Sequence, residues 1–210
     1  MMEDYTDIGA VTPEAMQISR KSRQLISEMI GDATPEDKIR QRCVIATGDP
    51  SVAEILKFQG RPVEAGLQAL EKGAPIFVDI KMVQAGVLKT GHHSQIECFI
   101  GQGDGLAKEL GITRTSAGVL ALQEKLSGCI VVIGNAPSAL LTLCELIESS
   151  KALPRLVIGA AVGFVNAKES KEHLREMDVP SISTTGTRGG TPIAVAAINE
   201  IINAYARNAR

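Results

Sequence analysis

A chain of 210 residues suits one domain with its own core, and a formal net charge of -2 excludes a partner held mainly by phosphate neutralisation, nucleic acid above all. The hydrophobic fraction of 44%, with 20 Gly and only 3% aromatic residues, describes an Ala, Val, Ile and Leu core of the kind parallel sheets bury under helices. Residues 1–9 have neither the basic stretch nor the apolar centre of a signal peptide, and no window reaches the roughly 18 apolar residues of a bilayer span, so a cytoplasmic protein without membrane contact is expected.

Residues 12–30 predict a helix with Thr12 as N-cap, Pro13 in the first turn and Gly31 as stop. Residues 42–47, short, apolar and β-branched, predict a strand that Gly48-Asp49-Pro50 turns into a helix near Ser51. A helix over 62–71, closed by Gly73, leads to a strand over 75–79 with Asp79 and Lys81 at its end. A strand over 95–100, a short helix near Leu106 and an amphipathic helix over 113–126, stopped by Gly128, come next.

The rhythm then repeats three times: strand 129–133 into a helix at Pro137, strand 155–159 into one at Lys168, strand 181–185 into one at Thr191. The alternation predicts an α/β fold in three layers, a mostly parallel sheet with right-handed crossovers and helices on both faces. No linker or repeat divides residues 1–210, so one domain is expected. Cys43, Cys98, Cys129 and Cys144 are far apart and mostly in apolar runs, which reads as buried thiols in a reducing compartment.

In an open parallel sheet, ligands bind beyond the carboxyl ends of the strands, where loops enter helix N-termini. The loops there read Ala46-Thr47-Gly48-Asp49-Pro50, Gly134-Asn135-Ala136-Pro137-Ser138, 159–165, and Gly186-Thr187-Arg188-Gly189-Gly190-Thr191. In the last, two glycines let the backbone approach an anion while Arg188 and Thr191 supply charge and a hydroxyl; a plain turn with an N-cap is the alternative. Thr113-Arg114-Thr115-Ser116 is a capped helix start with a cation, either a carboxylate clamp or a cap beside a solvated arginine.

Residues 168–172 read as a solvated helix face. His92, His93 and His173 are too few and too scattered for a metal site, and none is expected. No strand leads into Gly-x-Gly-x-x-Gly or a phosphate loop, which leaves a nucleotide-binding module as the weakest reading.

Taken in order, these loops resemble the precorrin-8X methylmutase family of cobalamin biosynthesis, called cobalt-precorrin-8 methylmutase in the anaerobic route. The resemblance covers nearly the whole chain. It rests on residues 42–50, Val63-Glu64-Ala65-Gly66, Asp79 with Met82-Val83 and Ala85-Gly86, and Gly111-Ile112-Thr113-Arg114. It continues through Gly134-Asn135-Ala136-Pro137, Val162-Gly163-Phe164-Val165 with Glu169-Ser170-Lys171, and Arg188-Gly189-Gly190.

The resemblance implies an isomerase that moves one methyl group between neighbouring carbons of the macrocycle, giving hydrogenobyrinic acid or cobyrinic acid, with no external cofactor. It implies a homodimer whose partners wall the site, and an anionic tetrapyrrole held by cations and helix N-termini around an apolar floor. The substrate-binding positions expected on that footing are Arg42, Ala46, Gly48 and Asp49 from the first loop and Thr113 and Arg114 from the capped start. Gly134, Asn135, Ala136, Ser138 and Gly163 come from the middle loops, and Arg188, Gly189, Gly190 and Thr191 from the last.

One position departs from the family. Where its members end the strand before this first loop in a histidine that donates a proton or hydrogen bond to the ring, this chain has Ile45. Isoleucine has no proton to donate. The candidates to replace it are His92 or His93, swinging in after Gly91, and Thr47, orienting a water. The alternative is a relative that binds a corrinoid without rearranging it.

Overall fold

The computed structural model of the chain describes residues 10–208; the leader expectation for residues 1–9 lies outside them. Strands β1 (Leu56–Gln59), β2 (Ile76–Val78), β3 (Ile96–Cys98), β4 (Ile130–Ile133), β5 (Leu156–Gly159) and β6 (Ser181–Thr184) form one sheet of order β1-β6-β5-β4-β2-β3. All pairings are parallel except that of β1, which runs antiparallel along β6 at the edge. Every residue of β2, β4, β5 and β6 is buried, the first three as unbroken apolar strands and β6 with Ser181, Ser183 and Thr184 among its residues, because helices cover both faces.

Side-chain alternation along the strands builds two cores. Ile76, Val78, Ile130, Val132, Leu156 and Ile158 point to one face. There they meet α2 (Pro35–Thr47), α4 (Pro62–Glu71), α5 (Lys81–Gly86) and α10 (Thr191–Asn208), joined by Val52 and Ala53 of α3 (Val52–Ile55), with α1 (Pro13–Ile30) packed against α2 from outside. Phe77, Val131, Ile133 and Val157 point to the other, against α7 (Arg114–Leu122), α8 (Pro137–Glu148) and α9 (Ala167–Glu176). Each fully buried aliphatic side chain contributes about 1.5–3 kcal/mol, against about 0–1 kcal/mol for an exposed ion pair, so the two cores and not the surface charges hold the layers together.

α6 (Asp104–Leu110) packs on α7, and glycine is needed where α7 crosses the end of β3: a Cβ on Gly118 would collide with the Phe99 carbonyl. The four cysteines are buried and free, and burial pushes the thiols of Cys43, Cys129 and Cys144 up to about 12, which leaves them as core packing.

Most predicted elements stand where the sequence placed them; two do not, and β1 and α5 were not predicted. Residues 42–47 are the last turns of α2, not a strand. Thr34 caps that helix in a reciprocal pair with Asp37, Pro35 takes the first helical position, and Gly48 ends it in the left-handed conformation at φ 66°. Ile39, Cys43 and Val44, spaced at helical intervals, face the core. Residues 56–59 form β1, which pairs Leu56 with Thr184 through Gln59 with Ser181. The helix over 113–126 stops at Leu122 and finishes as a 3-10 turn, Gln123–Leu126.

Candidate functional site

Asp79, directly after β2, organises the carboxyl rim. Its buried carboxylate accepts the Gly134 N–H at 3.1 Å on one oxygen and the Asn135 and Ala136 N–H groups at 2.7 and 2.9 Å on the other. Desolvation pushes the Asp79 carboxyl up, while those three amides favour its charged form. The consequence corrects an expectation: the amides of Gly134 and Ala136 are consumed inside the protein and do not face a ligand. What this loop turns outward is Asn135, which is exposed, and half-buried Ser138.

The neighbouring loops are tied to this one in sequence. The Val162 N–H donates to the Asn135 carbonyl at 3.4 Å, that of Gly163 to the Thr187 carbonyl at 3.1 Å, and that of Gly190 to the Ala160 carbonyl at 2.6 Å. A Cβ on Gly189 would collide with the Ala160 and Ala161 carbonyls, so glycine lets the β5 and β6 loops touch. Gly134 in turn lies against the Thr191 backbone at the start of α10.

Arg188 closes the chain of contacts. Its guanidinium donates to Asp49 Oδ2 at 2.9 Å and to Ser51 Oγ at 2.9 and 3.0 Å, which brings the loop after Gly48 to the same rim. Hydrogen bonds from Ser51, then the charge of Arg188, hold the Asp49 carboxyl below its ordinary value. Arg114 is likewise engaged: its Nε and Nη2 grip the two oxygens of Asp104 at 2.8 and 2.9 Å, lowering Asp104 and raising Arg114. Both arginines thus hold carboxylates of the chain itself. Thr113 Oγ1 meets Ser138 Oγ at 2.8 Å and Ser116 Oγ at 2.9 Å, which joins the starts of α7 and α8.

A cavity of about 590 Å³ opens between α1, α2 and the first turns of α10. Arg42, Ile45 and Ala46 line it beside Ile18, Pro192 and Val195. Ile45, in the last turn of α2 and 39% exposed, faces this space; Arg42 lies 3.9 Å from Glu200. The larger cavity, about 620 Å³, lies at the amino ends of β4, β5 and β6, bounded by Gly60, Gly128, Arg155 and Pro180, away from every loop of the rim.

The expected replacements for histidine do not assemble there. His92 and His93 lie in the loop that enters the amino end of β3, opposite the carboxyl rim. His92 Nδ1 accepts the Ser94 N–H at 3.1 Å, so Nε2 carries the proton and donates to the Leu88 carbonyl at 2.8 Å. Thr47 sits beside Gly48, but its hydroxyl donates back to the Cys43 carbonyl at 2.8 Å within α2. Two residues near the rim stand in surroundings that the sequence did not reveal. Lys171, read as part of a solvated face, is fully buried, and Phe164 is 94% exposed on the β5 loop. The motif Glu169-Ser170-Lys171 carried the only sequence signal for the lysine.

An open sheet whose carboxyl-end loops interlock on one rim, beside a cavity mixing arginine with apolar walls, places the candidate site of this α/β protein where ligands of parallel sheets enter. A family model described as Precorrin-8X methylmutase matches residues 17–204. The chain is 42% identical over 212 residues to a cobalt-precorrin-8 methylmutase of Methanocaldococcus jannaschii, covering 96% of this chain and 99% of the relative. It is 38% identical over 171 residues to a precorrin-8X methylmutase of Pseudomonas aeruginosa, covering 79% and 82%. The solved structure of a precorrin-8X methyl mutase from Thermus thermophilus superposes with a TM-score of 0.84 at 34% identity, covering 91% of this chain and 97% of that one. The chain belongs to the precorrin-8X methylmutase family.

Proposed function

We propose that the protein takes precorrin-8X, or its cobalt form, and moves one methyl group to the neighbouring ring carbon, an isomerisation in cobalamin biosynthesis. The bond from methyl to one carbon breaks as the bond to the next forms, so the atoms balance within one molecule and no external cofactor enters. The observation that carries this reading is the convergence of the β2, β4, β5 and β6 loops, the sequences that mark the family, on one rim.

Magnitudes support an acidic ligand there. The Arg188–Asp49 and Arg114–Asp104 pairs are exposed, and such pairs contribute only about 0–1 kcal/mol. A ligand carboxylate can therefore take over either arginine at small cost. Phe164, with Val162 and Val165 beside it, offers an apolar strip next to the Arg188 loop on which a macrocycle rests. The same reading makes the protein a cytoplasmic homodimer with the apolar strip covered by the partner or the ligand.

Mixing the purified protein with precorrin-8X is expected to convert its visible spectrum to that of the corrin product. Arg188→Ala is expected to weaken binding about ten- to a hundredfold through lost charge-assisted hydrogen bonds, with stability changed by less than about 1 kcal/mol. Unaltered affinity in that variant would remove Arg188 from the site. A second reading, a corrinoid-binding relative without turnover, is favoured by one observation, Ile45 at the place of the histidine. A bound but unconverted spectrum would select it.

A further inference from the structure

α9 carries two lysines in opposite circumstances. Lys168 is exposed and faces Glu172 at 3.8 Å. Lys171 is completely buried. Its Nζ donates to the Arg188 carbonyl at 2.6 Å and to Thr184 Oγ1 at 3.0 Å, and among the described residues no carboxylate lies within ion-pair distance of it. The charged side chain that acts on it is a cation, Arg175. Arg175, on the same helix, donates to Ser183 Oγ at 3.0 Å and the Thr184 carbonyl at 3.3 Å, and Arg188 belongs to the loop above. β6 contributes only hydroxyls and carbonyls.

An ammonium taken out of water without a counter-charge is costly. Burial, and then the charge of Arg175, pushes Lys171 down to about 8. A simple brace has no need of that charge, because Thr184 Oγ1 already donates to the same Arg188 carbonyl at 2.6 Å. On its far side the loop is held by the Gly190 N–H on the Ala160 carbonyl.

We infer that Lys171 is a positioning residue for acidic-ligand recognition, holding the Arg188 carbonyl so that the 185–190 loop presents Arg188 at the rim, and completing its own missing charge balance when ligand carboxylates arrive. This rests on the reading that the rim takes an acidic ligand. The sign of the pH effect follows: affinity is full below about 8, where Lys171 is charged, and falls as pH rises through that value.

The test compares the wild-type protein with Lys171→Met and Lys171→Arg, measuring the thermal midpoint, the Kd for precorrin-8X by visible titration, and KM and kcat from about pH 6.5 to about 9.5. Lys171→Met is expected to melt within a few degrees of wild type and to raise Kd and KM about tenfold or more, with kcat nearly unchanged. It loses the alkaline fall in affinity, and Lys171→Arg recovers part of the binding. Unchanged Kd in Lys171→Met, or an alkaline limb that survives it, overturns the inference. If Lys171→Met does not fold, the wild-type profile decides: affinity flat through pH 8 overturns the inference. If the wild-type protein binds no precorrin-8X, the proposed function fails, and amide hydrogen exchange decides about Lys171. Exchange over 185–190 quickened about tenfold in Lys171→Met supports the brace, and unchanged exchange refutes it.

Discussion

Replacing Ile45 by histidine is expected to raise turnover of precorrin-8X by about 10²–10⁴-fold, the usual contribution of a positioned proton donor. Three features of the site support so large an effect. Position 45 already faces the cavity between α1, α2 and α10, so an imidazole there needs no backbone movement. It lies in the last turn of α2, where the helix dipole favours a protonated imidazole by about 0.3–1 kcal/mol. With Ile45 39% exposed, the exchange removes little packing, and stability is expected to stay within about 0.5 kcal/mol. Arg42, one turn earlier, works against the imidazolium, but Glu200 lies 3.9 Å from its guanidinium. Single-turnover spectra of wild type, Ile45→His and Ile45→Gln separate proton donation from mere polarity. Equal rates in all three would show that position 45 is not where the proton is delivered.

Asp79→Ala is expected to cost about 3–5 kcal/mol of stability, since removing one partner of a buried charged network strands the others. Three N–H groups at 2.7–3.1 Å would lose their acceptor together, in a loop sealed by β2, β4 and α8. Asp79→Asn keeps one acceptor oxygen but turns an NH₂ toward a backbone N–H, and is expected to lose nearly as much. Urea denaturation measures both. A change below about 1 kcal/mol would mean that water or a shifted backbone satisfies those amides as well as the carboxylate does.

The elements that could be read from the sequence are those whose signals are local. Thr12, Pro13 and Gly31 bracket α1 within one turn of each end, and Pro137 opens α8 in the same way. The misreading of 42–47 has an equally local cause. Cys43-Val44-Ile45 fits a strand or a helix, and the signal that decides, the capping pair of Thr34 and Asp37, stands upstream of the run. β1 shows a faint alternation in Leu56 and Phe58, but four residues become a strand only by pairing with β6, distant in the chain.

At the site, the loops themselves were legible because glycine-bearing turns after strands mark the ligand side of a parallel sheet. Their internal partners were not. Asp79 reaches Gly134 across 55 residues, and Arg188 reaches Asp49 across 139. Nothing near Gly134 announces that its amide is taken, and nothing near Arg188 names the carboxylate it holds.

By itself the sequence determined the alternation of strands and helices, the two-sided burial of β4 and β5, the family, and the place where a histidine is replaced by Ile45. These depend on backbone preferences and side-chain periodicities that act over a few residues. Only the tertiary structure decided that α2 extends through Ile45, that Asp79 occupies the amides of the Gly134 loop, and that Lys171 is buried without a carboxylate. The free energy of a charge or an N–H group is set by which distant segments exclude water from it and which atoms they offer in exchange, and those segments meet only when the sheet is assembled.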